Sequence, residues 1–314
     1  MELPALRDLL RHDGPILRRL AYLGSAYGPA WWRRWSPAGF GALFYALLAA
    51  RRRAVRSNHR RIRPDRDALQ TERATLATFL AFARCLTDSL ESAGPRPPDF
   101  AVDAVGEEHL EAVRRAGRGA VMVTAHVGNW DVFGRLVAGK GYPLTIAMAR
   151  EENEAVRSFA QKLRSDGGLQ ILYTDSSAFA VLDLLRAIRS NRILAVQIDR
   201  PAGGGGDRTV PFFGVPMPFP VGPFALAQAA GAPVLPVLSF LVGHHRYRVE
   251  VFGPIAVVRG RRAAEAALRQ VVGLFEERIF EHPEQWFHFT EMGEPAATRS
   301  SPRTRGAWRG TGTS

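Results

Sequence analysis

Hydrophobic and polar positions change rhythm near residue 100. Thr71 to Leu90 places Leu76, Phe79, Leu80, Ala83 and Leu86 at the three-and-four spacing of a helix. Residues 1–60 read as helical, basic and aromatic. Gly94-Pro95 through Pro98 is a break. Beyond Phe100, short apolar runs alternate with amphipathic stretches. Glu107 to Arg115 predicts a helix, Ala120 to Ala125 a buried strand, Trp130 to Ala138 a helix and Leu144 to Ala149 a strand. A helix near Asn153 to Arg164, a strand at Leu169 to Tyr173, a helix over Ser177 to Arg189 and a strand at Ile193 to Ile198 follow. This alternation predicts an α/β fold, a mostly parallel central sheet flanked by helices. Asp199 to Pro220 reads as one long irregular segment. After it come a helix over Gly222 to Ala230, strands at Val234 to Leu241 and Tyr247 to Phe252, and a helix over Arg262 to Phe280.

The organisation expected is an N-terminal helical region at 1–98, an α/β domain at 99–292 and a disordered tail at 293–314 rich in Ser, Arg, Gly and Thr. There are no internal repeats. The 314 residues suffice for a large core, and a single cysteine excludes an internal disulfide and favours a reducing compartment. Cys85 reads as a small buried hydrophobe.

Net charge is +12, and Lys140 and Lys162 are the only lysines among its basic residues. Such a surface favours anionic partners, and no zinc-finger or RNP pattern points to nucleic acid. Charges interrupt the apolar residues of Met1 to Arg11, so no secretory signal is expected there, and no apolar stretch reaches the ~20 residues needed to span a bilayer. Pro37 to Ala50 is a shorter apolar segment that includes Phe44. Trp31, Trp32, Arg33, Arg34 and Trp35 precede it, and Arg51, Arg52 and Arg53 follow. Tryptophans and arginines around a short apolar helix are selected at a bilayer interface, so this is the expected membrane contact; a core helix with solvated ends is the alternative.

The candidate chemistry centres on His126-Val127-Gly128-Asn129-Trp130-Asp131. Residues five apart do not share a face of one helix, so His126 and Asp131 meet only across a strand–turn–helix. Asn129 suits the N-cap and Asp131 the first turn, where an anion complements the helix dipole. An imidazole oriented by a carboxylate is a general base for a hydroxyl. Arg150 and Asp199 also fall at predicted strand ends, where open α/β sheets bind ligands. Gly203 to Gly206 matches neither a dinucleotide fingerprint nor a P-loop, and no Gly-x-Ser-x-Gly elbow appears. His244-His245 stands in a predicted hairpin with no second ligand pair beside it in the sequence, which argues against a metal. Phe212, Phe213, Phe219 and Phe224 fit either an acyl groove or core packing.

Several blocks, in order, carry a resemblance. Thr124 to Gly134, "TAHVGNWDVFG", resembles the His-x4-Asp/Glu box of the bacterial lipid A late acyltransferases, whose relatives include the phosphatidylinositol mannoside acyltransferases. Gln197 to Val237 resembles the family's second block, Pro283 to Phe289 ("PEQWFHF") its Pro-x-Gln-Trp ending, and Arg51 to Ile62 its N-terminal Arg-x4-Asn stretch. The resemblance implies a fold of glycerol-3-phosphate-acyltransferase type. It also implies transfer of a fatty acyl chain from an acyl-carrier-protein or coenzyme A thioester, a co-substrate, with no cofactor or metal. The acceptor implied is a hydroxyl of a membrane glycolipid of lipid A precursor type, at the cytoplasmic face of the bacterial inner membrane, with peripheral or monotopic attachment. Mannosides, lysophospholipids and amino-acid lipids are alternative acceptors, and an idle membrane-binding homologue is a further alternative. His126 and Asp131 are the implied catalytic pair, with Asp131 nearer the mannoside branch, since lipid A enzymes usually carry Glu there. Arg164 and Asp199 match a family arginine and acidic residue. With Asn129, Arg150 and Arg200 they form the expected substrate-binding set.

Overall fold

The computed structural model describes residues 15–149, 169–174, 180–202, 206–260 and 262–293. Among the described residues four helices come first: α1 (Pro15–Tyr27), α2 (Ala30–Leu47), α3 (Ala49–Ile62) and α4 (Ala68–Ser92). Helix α4 begins with a reciprocal capping box, the Asp67 carboxylate accepting from Gln70 N and the Gln70 amide accepting from Asp67 N. The α/β part follows as β1 (Ala101–Val105), α5 (Glu107–Ala116), β2 (Ala120–Thr124), α6 (Trp130–Gly139), β3 (Leu144–Met148), β4 (Gln170–Tyr173), α7 (Ala180–Arg189) and β5 (Ile193–Gln197). A hairpin of β6 (Asp207–Phe212) and β7 (Val215–Pro220) precedes α8 (Gly222–Ala230), β8 (Val234–Gly243), β9 (Arg246–Val251), α9 (Ala263–Glu281) and a short 3₁₀ turn, Pro283–Gln285.

The seven strands of the central sheet run in the order β1-β9-β8-β2-β5-β3-β4. Every neighbouring pair is parallel except β8 with β9, which a tight turn joins. This is the expected α/β sheet. Strand β2 lies at its centre and is buried on both faces, so it reads as a continuous apolar run. Its alternate residues serve two cores: Val121 and Val123 pack with Leu268, Val271 and Phe275 of α9, while Ala120 and Met122 pack with Leu110 and Val113 of α5.

Two elements differ from expectation. Residues 101–105 form an edge strand on β9, and all five are exposed, so no apolar alternation marks it. The segment from Asp199 is not irregular throughout, because its second half is the β6–β7 hairpin. Pro211, Pro216, Pro218 and Pro220 mask that hairpin in the sequence, and a two-stranded ribbon tolerates them because few strand N–H groups need partners. The expected helix at 153–164 and tail at 294–314 lie outside the described residues.

Candidate active site

Parallel pairing of β2 with β5 sets Thr124 beside Gln197. Two residues further along both chains, His126 and Asp199 leave the sheet side by side at its carboxyl edge. His126 Nδ1 lies 2.7 Å from Asp199 Oδ1, and the His126 backbone N–H donates to Asp199 Oδ2 at 3.0 Å. The indole N–H of Trp286 donates to the same Oδ2 at 2.9 Å. The carboxylate is buried, with 2% of its side chain exposed, while the His126 side chain is 22% exposed. The pair therefore offers one accessible imidazole whose inner nitrogen is fixed by a dry carboxylate.

The chain after the 3₁₀ turn straps this arrangement down. Phe287 N donates to His126 O at 2.8 Å and Gly128 N to Gln285 O at 3.0 Å, with Val127 and Trp286 as an antiparallel bridge. Gly128 permits this crossing: its φ is +55°, and a Cβ there would stand 1.8 Å from Ser239 O. The strap then reaches α3. Asn58 donates to His288 O and Thr290 O and accepts from Met292 N, and Arg61 holds Met292 O. Phe287 and Phe289 meet Phe82 of α4 edge to face.

The electrostatics follow from burial and charge. Burial opposes ionisation of Asp199, but His126, its hydrogen bond and Arg200 prevail and hold the carboxyl well below the usual range. Burial lowers His288 to about 4, so at neutral pH it is an uncharged ring, stacked on Trp286 at 4.6 Å. An imidazole paired with an ionised carboxylate at a strand end can accept a proton from a bound hydroxyl.

Residues 21–292 match the family described as bacterial lipid A biosynthesis acyltransferase. The chain belongs to that family. Among similar proteins, a phosphatidylinositol mannoside acyltransferase of Mycobacterium tuberculosis is 29% identical over 182 residues, 58% of this chain and 56% of the relative. One of Mycolicibacterium smegmatis is 29% identical over 143 residues, 45% of this chain and 47% of the relative. The chain thus spans about half the length of the curated relatives it matches.

The four blocks resembling this acyltransferase family converge. The box supplies His126, the second block Asp199, the ending Trp286, and the N-terminal stretch the Asn58 clamp on that ending. Three sequence expectations need correction. Asp131 was expected at His126 Nδ1, but Asp199 holds that position, because adjacent parallel strands align their ends in register. Asp131 stands half-buried in the first turn of α6. Asp199 was expected to bind substrate, yet it is 1% exposed and faces His126. Asn129 is likewise buried and used within the protein. It caps α6 through Val132 N, accepts from Ser89, and donates to Cys85 O and Tyr247 OH. Its predicted capping role therefore holds, and its predicted substrate contact does not.

Arg200 is exposed and donates to Phe287 O at 3.3 Å. Arg150 and Arg164 lie outside the described residues. Phe212, Phe219 and Phe224 are core residues with at most 1% exposure, and Phe213 packs on that core. Trp286 was missed as a site residue. The Pro-x-Gln-Trp block signalled it, but only the folded strap reveals the indole's target.

Of the expected membrane residues, Trp31, Arg34 and Arg51 are exposed and Trp32, Arg33, Phe44 and Arg52 half-buried. Arg51 donates to Phe289 O, and Arg52 to Tyr45 O at the end of α2. Among the described residues no helix is long and apolar enough to cross a membrane.

Proposed function

We propose that this protein transfers a fatty acyl chain from a carrier-protein or coenzyme A thioester to a hydroxyl of a membrane glycolipid. His126 Nε2 removes the hydroxyl proton. Asp199 receives the hydrogen bond from Nδ1 and stabilises the imidazolium that forms. The oxygen attacks the thioester carbonyl, the carbon–sulfur bond breaks, and the thiol takes the proton from His126, leaving an ester. Positioned general-base help of this kind contributes about 10²–10⁴-fold. Asp131 acts on the acceptor side of the ring and Arg200 near the developing oxyanion. The observation that carries the reading is the 2.7 Å pairing of His126 Nδ1 with Asp199 Oδ1 at the carboxyl edge of a parallel sheet. That setting fits a fold of glycerol-3-phosphate-acyltransferase type.

A mannosylated phosphatidylinositol is the favoured acceptor, supported by the two mycobacterial relatives and by Asp in the second place of the box. A lipid A precursor is the second choice, supported by the family match. The acceptor is reached at an anionic cytoplasmic membrane surface. Tyr27, Trp31 and Trp35 of α1 and α2 are each more than 60% exposed beside Arg34, and Leu20 and Leu47 are also exposed. Exposed aromatics next to arginines suit an interfacial helix.

The test incubates purified protein with labelled acyl-coenzyme A or acyl-carrier protein and vesicles containing either glycolipid. Label should enter the mannoside ester with wild type and fall at least about 100-fold with His126→Ala. Equal labelling by both proteins rejects the site. Labelling of the lipid A precursor alone rejects the acceptor while keeping the chemistry.

A further inference from the structure

We propose that Asp88, Glu91 and His245 form a binding site for one divalent cation of the zinc class. The proposal does not rest on the acyl-transfer reading. The carboxylates lie three residues apart on the inner face of α4, and the tight turn between β8 and β9 carries the histidine to them from 154 positions beyond Glu91. One donor atom from each residue lies within 4.8 Å of the others. His245 Nε2 is 2.8 Å from Glu91 Oε2 and 3.5 Å from Asp88 Oδ1. The second ligand pair that the sequence around His244-His245 lacks is thus supplied by the fold.

The buried oxygens carry the inference. Asp88 and Glu91 are 0% and 1% exposed. The Tyr247 hydroxyl donates to Asp88 Oδ2 at 2.5 Å, and His245 faces Glu91 Oε2. Asp88 Oδ1 and Glu91 Oε1 remain buried without a hydrogen-bond partner. An unmet buried carboxylate oxygen is costly. A proton on His245 Nε2 serves Glu91 Oε2 and leaves both of those oxygens unmet. A cation bound by His245 Nε2 would take an oxygen from each carboxylate at about 2.0–2.2 Å, and water would complete its shell. One imidazole with two carboxylates selects zinc-like metals over magnesium or calcium, which prefer oxygen alone.

The surroundings fit a metal shell. Tyr247 orients Asp88 and is itself held by Asn129, so the donors are fixed in advance. Arg84 is the nearest competing cation, with Nη1 3.6 Å from Asp88 Oδ1. It already donates to the carbonyls of Arg33 and Arg34, so its charge offsets part of the carboxylate pair without filling the vacant valences. A metal here would tie α4, against which the strap packs, to the sheet edge.

The experiment loads the full chain with Zn²⁺ or Co²⁺, dialyses it, and measures bound metal and the cobalt absorption spectrum. About one equivalent is expected on the wild type, with binding at least about tenfold weaker in His245→Ala and in Glu91→Gln, and a lower melting temperature when a chelator strips the metal. If His245→Ala fails to fold, the near-isosteric Glu91→Gln decides. Wild type that retains no metal overturns the proposal. So do variants that bind as well as wild type, because the uptake then belongs to other histidines.

Discussion

Replacing Trp286 by phenylalanine tests whether the strap serves the chemistry or only the fold. The substitution keeps an aromatic ring against Phe212 and His288 but deletes the N–H that donates to Asp199 Oδ2 at 2.9 Å. Asp199 then keeps two of its three hydrogen bonds, both from His126. A hydrogen bond to a charged group contributes about 1.5–3 kcal/mol. The smaller ring adds a cavity cost of about 1 kcal/mol. Stability should therefore fall by about 2.5–4 kcal/mol in urea titration. If half of the lost bond is felt when the imidazolium forms, kcat falls about 4–13-fold, since each 1.36 kcal/mol is about a factor of ten. KM for both substrates should stay within about twofold, because the change removes no predicted substrate contact. Phe212→Leu is the control: it disturbs the same packing, as the rings lie 5.5 Å apart, but touches no bond to Asp199. Equal kcat losses in the two variants, or an unchanged kcat in Trp286→Phe, would refute a positioning role.

Gly128→Ala should cost about 3 kcal/mol or more, because its Cβ meets a backbone oxygen at 1.8 Å; Gly231→Ala, also at positive φ but in open space, should cost about 1 kcal/mol. Comparable urea midpoints for the two would remove the proposed close crossing at Gly128. Acidification should destabilise the protein between pH 6.5 and 4.5. Burial lowers His59 and His288 to about 4 each, so stability that is full above 6.5 is lost as pH falls toward 4. In the metal-free protein, which the titration uses after chelator treatment, Asp88 is raised to about 6 by burial and opposes this below pH 6, leaving a net loss on the order of 3 kcal/mol. A urea midpoint that is flat or rises over that range would contradict the assignment, and His59→Gln should remove most of the net slope, because Asp88 offsets most of what His288 alone contributes.

The sequence made the central strands legible because burial on both faces leaves uninterrupted apolar runs, as in Ala120 to Ala125. The edge strand at Ala101–Val105 buries neither face, so periodicity had nothing to report there. At the site, the Asn129 cap was legible from local chemistry, and His126 was singled out by its place at the end of an apolar strand. The partner of His126 was not, because strand register is a tertiary property: Asp199 is 73 positions away in sequence yet adjacent across the sheet. Asp131, five positions away, looked nearer only along the chain. The metal donors were hidden for the same reason, since α4 and the β8–β9 turn meet only after folding.

The central claim is that Asp199 is the carboxylate that orients the catalytic imidazole. Acyl transfer to glycolipid vesicles should be compared for Asp199→Asn and Asp131→Asn, both checked for native circular dichroism. Asp199→Asn should lower kcat by about 10²–10⁴-fold with KM nearly unchanged, and Asp131→Asn should lower it by less while also raising KM for the acceptor. Full activity in Asp199→Asn, or a larger kcat loss in Asp131→Asn, would contradict the account.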